Sequence, residues 1–147
     1  MKIVYQGSPG AYSHLAAKKI YPKYEFIPYN TFEDCFKHCN ENEEHKTIIP
    51  VENSIAGRVA DIQYLINKYK LQIYAEHFQE IKHNLMILKD NELKNVKSVR
   101  SHSQAISQCQ KLINSNKFEP IIAADTAGSA KYISCLLYTS PSPRDLD

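Results

Sequence analysis

Three short polar clusters contain the side chains best suited to binding a small charged molecule. They occupy residues 51–57 (Val-Glu-Asn-Ser-Ile-Ala-Gly), 101–109 (Ser-His-Ser-Gln-Ala-Ile-Ser-Gln-Cys) and 125–131 (Asp-Thr-Ala-Gly-Ser-Ala-Lys). Each cluster follows an apolar run typical of a strand and opens a run typical of a helix, which is where open α/β sheets gather their ligand-binding groups. We therefore expect the three clusters to form one site.

The second cluster is rich in uncharged hydrogen-bonding side chains. Ser101 and Gln108 are seven residues apart, so a continuous helix would bring them within about 20° of one another, with Gln104 close by. This strip borders the face that must pack on the sheet, which indicates that it lines a crevice. The alternative is an ordinary solvated edge with Ser101 acting as a helix cap.

The first and third clusters add groups of the same kind. Asn53 and Ser54 follow one predicted strand, and Asp125 and Thr126 follow another. The free N–H groups of a helix N-terminus suit a carboxylate or a phosphate, and Gly128 allows ligand and backbone to approach closely. Asp125 could equally serve only as a helix cap.

The segment 6–10 (Gln-Gly-Ser-Pro-Gly), followed by Ser13, is a fourth such terminus. It lacks the Gly-x-Gly-x-x-Gly spacing and the P-loop lysine, so a nucleotide site is disfavoured. No carboxylate pair or activated nucleophile accompanies the clusters, which argues against a hydrolase. His77, His83 and His102 are candidate acids, although a lone histidine near a cap or strand end more often has a structural role.

Cys35, His38 and Cys39 lie three and four residues apart, so a helix would place them on one face, where they could bind a metal ion. With no second pair of ligands, core packing is the better interpretation. The chain has four cysteines, which are too few for a disulfide scaffold, and we expect free thiols. Neither a metal nor a cofactor is expected.

The composition is ordinary for a globular domain, with 43% hydrophobic and 23% charged residues. The net charge of +2 comes from dispersed lysines, so nucleic acid is not an expected partner. No apolar stretch reaches the roughly 18 residues of a membrane span, and the first residues enter a strand without a signal-peptide core. These patterns predict a cytoplasmic protein with no membrane partner.

Strand and helix patterns alternate along most of the chain, which is typical of an α/β fold with mostly parallel sheets and crossover helices. Residues 71–81 and 83–88 interrupt this order and predict two consecutive long strands that cross between lobes. The predicted strands are 2–5, 24–29, 47–51, 96–99 and 120–124, and the predicted helices are 11–20, 31–39 with Thr31 as N-cap, 59–70, 104–114 and 126–134.

Residues 135–147 differ from the rest of the chain, because Pro141 and Pro143 interrupt any helix that continues from 126–134. This tail resembles translated sequencing-adaptor sequence joined to a reading frame that stopped early. The alternative is a natural disordered C-terminus. We expect the tail to take no part in the fold.

Five segments in order resemble the catalytic domain of the prephenate dehydratase family. They lie between residue 3 and about residue 134: residues 5–13, 51–54 with Gly57, 81–85, 101–104 through 108–109, and 125–131. One departure is Ser103, where the family usually has proline. This change should loosen the turn without removing a functional group.

The resemblance implies a two-lobed fold like that of periplasmic binding proteins, incomplete at the C-terminus, with prephenate held between the lobes. The first lobe would comprise residues 1–76 and a partial second lobe residues 77–134. By resemblance, the residues used in catalysis are Asn53, Ser101 and Gln108. The implied substrate-binding residues are Ser13, Ser54, His102, Gln104, Thr126 and Gly128.

The activity implied is a lyase reaction of phenylalanine biosynthesis, the decarboxylating dehydration of prephenate to phenylpyruvate. The family's proton donor is a threonine in a downstream Thr-Arg-Phe motif, which this sequence does not contain. Neither Thr126 nor Thr139 matches it, so we expect this chain to be inactive. Arogenate dehydratase and a non-catalytic two-lobed binding or sensor module are the alternatives. The full-length protein could form a homodimer.

Overall fold

The computed structural model describes residues 1–59 and 61–136, which fall into two compact units divided between Ile81 and Lys82. Both units contain parallel strands and helices, and they confirm the predicted α/β class. The first unit contains β1 (Lys2–Gln6), α1 (Tyr12–Ile20), β2 (Glu25–Tyr29), α2 (Phe32–Glu41), β3 (Lys46–Ile48), β4 (Glu52–Asn53), β5 (Gly57–Arg58) and α3 (Ile62–Tyr69). The second contains a 3-10 turn (Leu93–Asn95), β6 (Ser98–Ser101), α4 (Ser103–Gln108), α5 (Gln110–Asn116), β7 (Glu119–Ile122) and α6 (Thr126–Leu136).

The main sheet of the first unit has the order β2-β1-β3 with all strands parallel. Ile3, Val4 and Tyr5 in the central strand are at most 1% exposed, as expected for a parallel strand covered on both faces. Helix α2 begins where predicted, because the Thr31 hydroxyl accepts a hydrogen bond from the backbone N–H of Asp34. Sheet and helices together build the first core.

Cys35 and Cys39 belong to that core, packed with Val4. Burial raises the pKa of the Cys35 thiol to about 12 and that of Cys39 to about 11, so both stay protonated. His38 turns to other partners, the Tyr29 hydroxyl at 2.9 Å and the His45 ring at 2.7 Å. In the described part of the chain, no three metal-binding side chains converge. The two cysteines pack in the core.

The second unit is organised by the parallel pair β6 and β7, in which Ser101 lies opposite Ile122. Its core is Ile106, Ile113 and Phe118. The single helix predicted over 104–114 is wrong in one respect, because it is divided at Cys109 into α4 and α5. Within the described ranges, no helix is long and apolar enough to cross a bilayer.

Two further element predictions are wrong. Residues 71–81 and 83–88 form no strand, because they find no partner strand among the described residues and strand structure requires a hydrogen-bonded ladder. The helix predicted from residue 59 begins at Ile62, because residues 52–58 turn back on themselves as the β4–β5 hairpin. Residues 137–147, most of the predicted tail, lie outside the described residues.

Candidate functional site

The loop after β1 is fixed by its glycines and by His14. Gly7 and Gly10 have φ angles of 108° and 94°, which favour glycine. The Gly10 N–H donates to His14 Nδ1 at 3.0 Å, and the His14 ring stacks on Tyr5 with centroids 5.0 Å apart. Ser13 is partly buried in the first turn of α1. These contacts hold the start of α1, and with it Ser13, in a fixed position.

The pKa of His14 lies below its usual value of 6.5, because burial, and then the charge of Lys18, disfavours the imidazolium form. A neutral ring is also what the contact with Gly10 requires, since Nδ1 must accept a hydrogen bond there. The loop is thus built around a neutral histidine.

Asn53 organises the turn between β4 and β5. Its Oδ1 accepts hydrogen bonds from the backbone N–H groups of Ile55 at 2.9 Å and Ala56 at 3.0 Å. Gly57 closes the turn with a φ of 80°. Ser54 is exposed at the tip. Because its oxygen is engaged, the Asn53 amide offers its NH₂ group as a donor.

The second cluster does not open a helix at Ser101. Ser101 is the last residue of β6, and the helix begins at Ser103 with His102 as its cap, whose Nδ1 accepts from the Gln104 N–H at 3.3 Å. The prediction that Ser101 and Gln108 share a helical arc is therefore wrong, as is the alternative of Ser101 as the cap. Ser101 is partly buried at the strand end, whereas Gln104 is exposed.

Gln108 is the last residue of α4 and is partly buried. Its Oε1 lies 2.9 Å from Nε2 of His83. Sequence reasoning did not pair these residues, because they are 25 positions apart and His83 precedes β6 in a run without regular structure. His77, another candidate acid, is exposed in the first unit.

The third cluster surrounds the start of α6. Asp125 Oδ1 accepts from the Gly128 N–H, so Asp125 acts as a helix cap, and the Ser129 hydroxyl donates to the Asp125 carbonyl at 2.8 Å. Thr126 is the first residue of the helix. Beside this turn lies a cavity of about 140 Å³. It is lined by Arg100, Ala123, Ala124, Asp125, Gly128 and Ser129.

Arg100 is the residue of this region that sequence reasoning missed. Its guanidinium carbon lies 4.6 Å from the centroid of the Tyr132 ring, a cation–π contact, and its Nε is buried without a hydrogen bond to any described residue. The sequence indicates Arg100 only by its position, because it directly precedes Ser101 in β6. It places a positive charge near the third cluster.

The predicted site residues are thus divided between the units. Ser13, Asn53 and Ser54 belong to the first unit. The second unit contains Ser101, His102, Gln104, Gln108, Thr126 and Gly128. Most of these residues carry hydroxyl or amide side chains, which are uncharged donors and acceptors suited to orienting an anion, and no carboxylate or lysine stands among them.

The prephenate dehydratase family model matches residues 3–136 of the chain. A bifunctional N-acyl-homoserine lactone acylase/prephenate dehydratase from Komagataeibacter europaeus is 33% identical over 131 residues, which cover 89% of this chain and 47% of that protein. Arogenate dehydratase 2 from Petunia hybrida is 33% identical over 134 residues, covering 91% of this chain and 34% of that protein.

A solved structure of prephenate dehydratase from Staphylococcus aureus superposes with a TM-score of 0.78 at 23% identity. The match covers 90% of this chain and 51% of that one, and at this identity it shows a common fold. The chain thus spans between about a third and a half of the length of these relatives. Matched by the family model over almost all of its described residues, the chain belongs to the prephenate dehydratase family.

Proposed function

We propose that this chain supplies the substrate-binding and orienting residues of a lyase that converts prephenate to phenylpyruvate, carbon dioxide and water. One observation carries the proposal. The amide oxygens of Asn53 and Gln108 are both engaged within the protein, by the turn N–H groups and by His83 respectively. Both side chains therefore have an NH₂ group to offer to an anion, and prephenate carries two carboxylates.

The reaction needs orientation more than it needs a base. The bond from the ring to one carboxylate breaks, its electron pair enters the ring, and the bond to the ring hydroxyl breaks as aromaticity is gained. The hydroxyl leaves as water after it receives a proton, and no proton is removed from carbon. Fixed donors around the substrate supply proximity and electrostatic stabilisation for these steps.

The two carboxylates of prephenate have different fates in the reaction. These fates determine at which carboxylate a hydrogen-bond donor of the protein favours the transition state. The ring carboxylate becomes neutral carbon dioxide, so strong hydrogen bonds to it would stabilise the substrate more than the transition state. The carboxylate of the pyruvyl arm keeps its charge throughout. We therefore assign the NH₂ group of Gln108 chiefly to the pyruvyl arm, and Ser101, in the same unit, to the remaining polar contacts of the substrate.

The proton for the departing hydroxyl is assigned to a group outside this chain. The sequence contains no Thr-Arg-Phe segment, and the threonines it does have do not match that motif. We propose that residues 1–76 and 77–134 are the two lobes that bind substrate, that residues 135–147 are an adaptor-like tail, and that the chain alone is inactive. A cytoplasmic location and a homodimer of the full-length enzyme remain predictions.

Incubation of the purified chain with prephenate, with phenylpyruvate followed by its absorbance in alkali, tests the proposal. We expect the spontaneous rate of conversion and no more. Conversion well above that rate would contradict the need for the missing threonine. The same assay on the chain extended by its genomic continuation should show catalysis, and its absence there would count against the dehydratase assignment.

Two other functions have specific support. The Petunia hybrida relative is named an arogenate dehydratase, and arogenate carries an amine where prephenate carries a keto group. The Komagataeibacter europaeus relative is also named an N-acyl-homoserine lactone acylase. A non-catalytic binding module is the third alternative. Calorimetric titration with prephenate, arogenate, phenylalanine and an N-acyl-homoserine lactone distinguishes them, because each function predicts a different preferred ligand.

A further inference from the structure

His83 has one described polar contact that involves a site residue. Its Nε2 lies 2.9 Å from Oε1 of Gln108, at hydrogen-bond distance. His83 is exposed and lies in the irregular run that precedes β6, whereas Gln108 is partly buried at the end of α4. Both belong to the second unit. The contact therefore joins an irregular segment to the helix that carries a candidate catalytic amide.

We propose that His83 is a positioning residue that fixes the orientation of the Gln108 amide. A carbonyl oxygen can only accept, so the 2.9 Å contact requires that His83 donates from Nε2–H. With Oε1 held in this way, the opposite side of the amide presents its NH₂ group. This inference rests on the proposed function, in which that NH₂ group binds a carboxylate of prephenate.

The physical need for such a contact follows from the symmetry of the amide. Rotation of the terminal torsion by 180° exchanges oxygen and nitrogen at almost no steric cost, and this torsion is broad in glutamine. In the exchanged orientation a carboxylate would meet the carbonyl oxygen, which repels it. A donor on one side of the amide removes this ambiguity, so it favours anion binding without touching the substrate.

Two substitutions of His83 test whether a hydrogen-bond donor at the position of Nε2 is what matters for prephenate binding. The amide nitrogen of His83→Gln falls close to the position of Nε2, whereas that of His83→Asn corresponds to Nδ1. We expect His83→Asn to raise the prephenate dissociation constant about tenfold, the effect of losing one oriented charge-assisted bond. His83→Gln should stay within about twofold of the original chain. Asn91→Ala, at an exposed position before β6 in the same unit, is the control and should leave binding unchanged.

Nuclear magnetic resonance of the Gln108 side chain distinguishes a positioning role of His83 from a purely structural one. The side-chain NH₂ signals of Gln108, identified by their loss in Gln108→Glu, should shift on addition of prephenate in the original chain and in His83→Gln. At the concentration that half-saturates the original chain, they should shift much less in His83→Asn. In the original chain without ligand, the neutral His83 ring should carry its proton on Nε2, which its ¹⁵N shifts report without any substitution.

The outcomes are distinguishable. If the original chain binds no prephenate, the proposed function fails and the positioning role fails with it. If the original chain binds and His83→Asn binds equally well, only the positioning role is overturned. A neutral His83 ring protonated on Nδ1, or a His83→Gln variant as weak as His83→Asn, would likewise overturn it while leaving the proposed function standing.

Discussion

The carboxylate of Asp125 accepts a hydrogen bond from the backbone N–H of Gly128, and a Cβ added at Gly128 would lie only 2.7 Å from Asp125 Oδ2. Helix α6 therefore starts with a cap that leaves no room for a side chain three residues later. Gly128 has a φ outside the positive range, so the cap accounts for the glycine and backbone conformation does not.

Gly128→Ala should consequently have opposite effects in two backgrounds. In the original chain it displaces the cap and should lower the free energy of unfolding by about 1 kcal/mol. In Asp125→Ala the obstacle is gone, and alanine should raise the free energy of unfolding by up to about 1 kcal/mol through its helix propensity. Urea denaturation of the four chains measures the coupling. Equal effects in both backgrounds would contradict this account of the glycine.

The first unit should lose stability as the pH falls below the ordinary histidine value of 6.5. His14 and His38 both have a lowered pKa, in each case mainly because burial disfavours the imidazolium. Between the lowered folded-state pKa and 6.5, the unfolded chain binds protons that the folded chain does not. Their contribution to stability is therefore complete above 6.5 and decreases as the pH falls through that window.

Urea denaturation between about pH 7.5 and about pH 5.5 checks this expectation. His14→Gln should remove part of the pH dependence, because glutamine keeps a polar side chain that does not titrate. His38→Gln should remove a further part. A stability that rises on acidification in this window would have the wrong sign for the account.

Asn53→Asp should separate the two roles assigned to Asn53. Aspartate keeps an oxygen for the N–H groups of Ile55 and Ala56, so the β4–β5 turn should persist. It lacks the NH₂ donor and adds a negative charge, so the prephenate dissociation constant should rise at least about tenfold. Asn53→Ala, which also loses the turn contacts, is the comparison. Calorimetry combined with amide spectra of Ile55 and Ala56 decides whether binding is lost while the turn remains.

The cysteines should differ sharply in reactivity. Burial raises the pKa of Cys35 to about 12 and that of Cys39 to about 11, so neither forms thiolate at neutral pH. Cys135 is exposed and Cys109 partly so. Brief treatment with iodoacetamide followed by mass spectrometry should label Cys135 first and Cys109 next, and it should label Cys35 and Cys39 only in urea. Early labelling of Cys35 would show that the first core is not formed as described.

Local patterns predicted the elements whose stability is local. The buried run of β1 and the Thr31 cap of α2 follow from apolar burial and from a hydroxyl at a helix start, and both are present. The hairpin at 52–58 was missed because the oxygen of Asn53 builds its turn, and a polar residue after an apolar run indicates a helix start equally well. The run 71–81 was misassigned because β propensity does not supply a partner strand.

The candidate site was predictable as residue types and not as contacts. The polar clusters named Asn53, Ser101 and Gln108, but periodicity placed Ser101 on a helix that in fact begins after His102. The pairing of His83 with Gln108 spans 25 positions and depends on tertiary structure, so no periodic pattern could indicate it. What the sequence lacked was the information about which side of each amide is already engaged.

The most direct test of the central claim is a calorimetric titration of the 147-residue chain with prephenate, with phenylpyruvate measured in the same cell afterwards. We expect saturable binding at one site per chain, and phenylpyruvate only at the spontaneous level. Absence of binding, or binding accompanied by rapid conversion, would contradict the claim that these residues orient the substrate while the proton donor lies elsewhere.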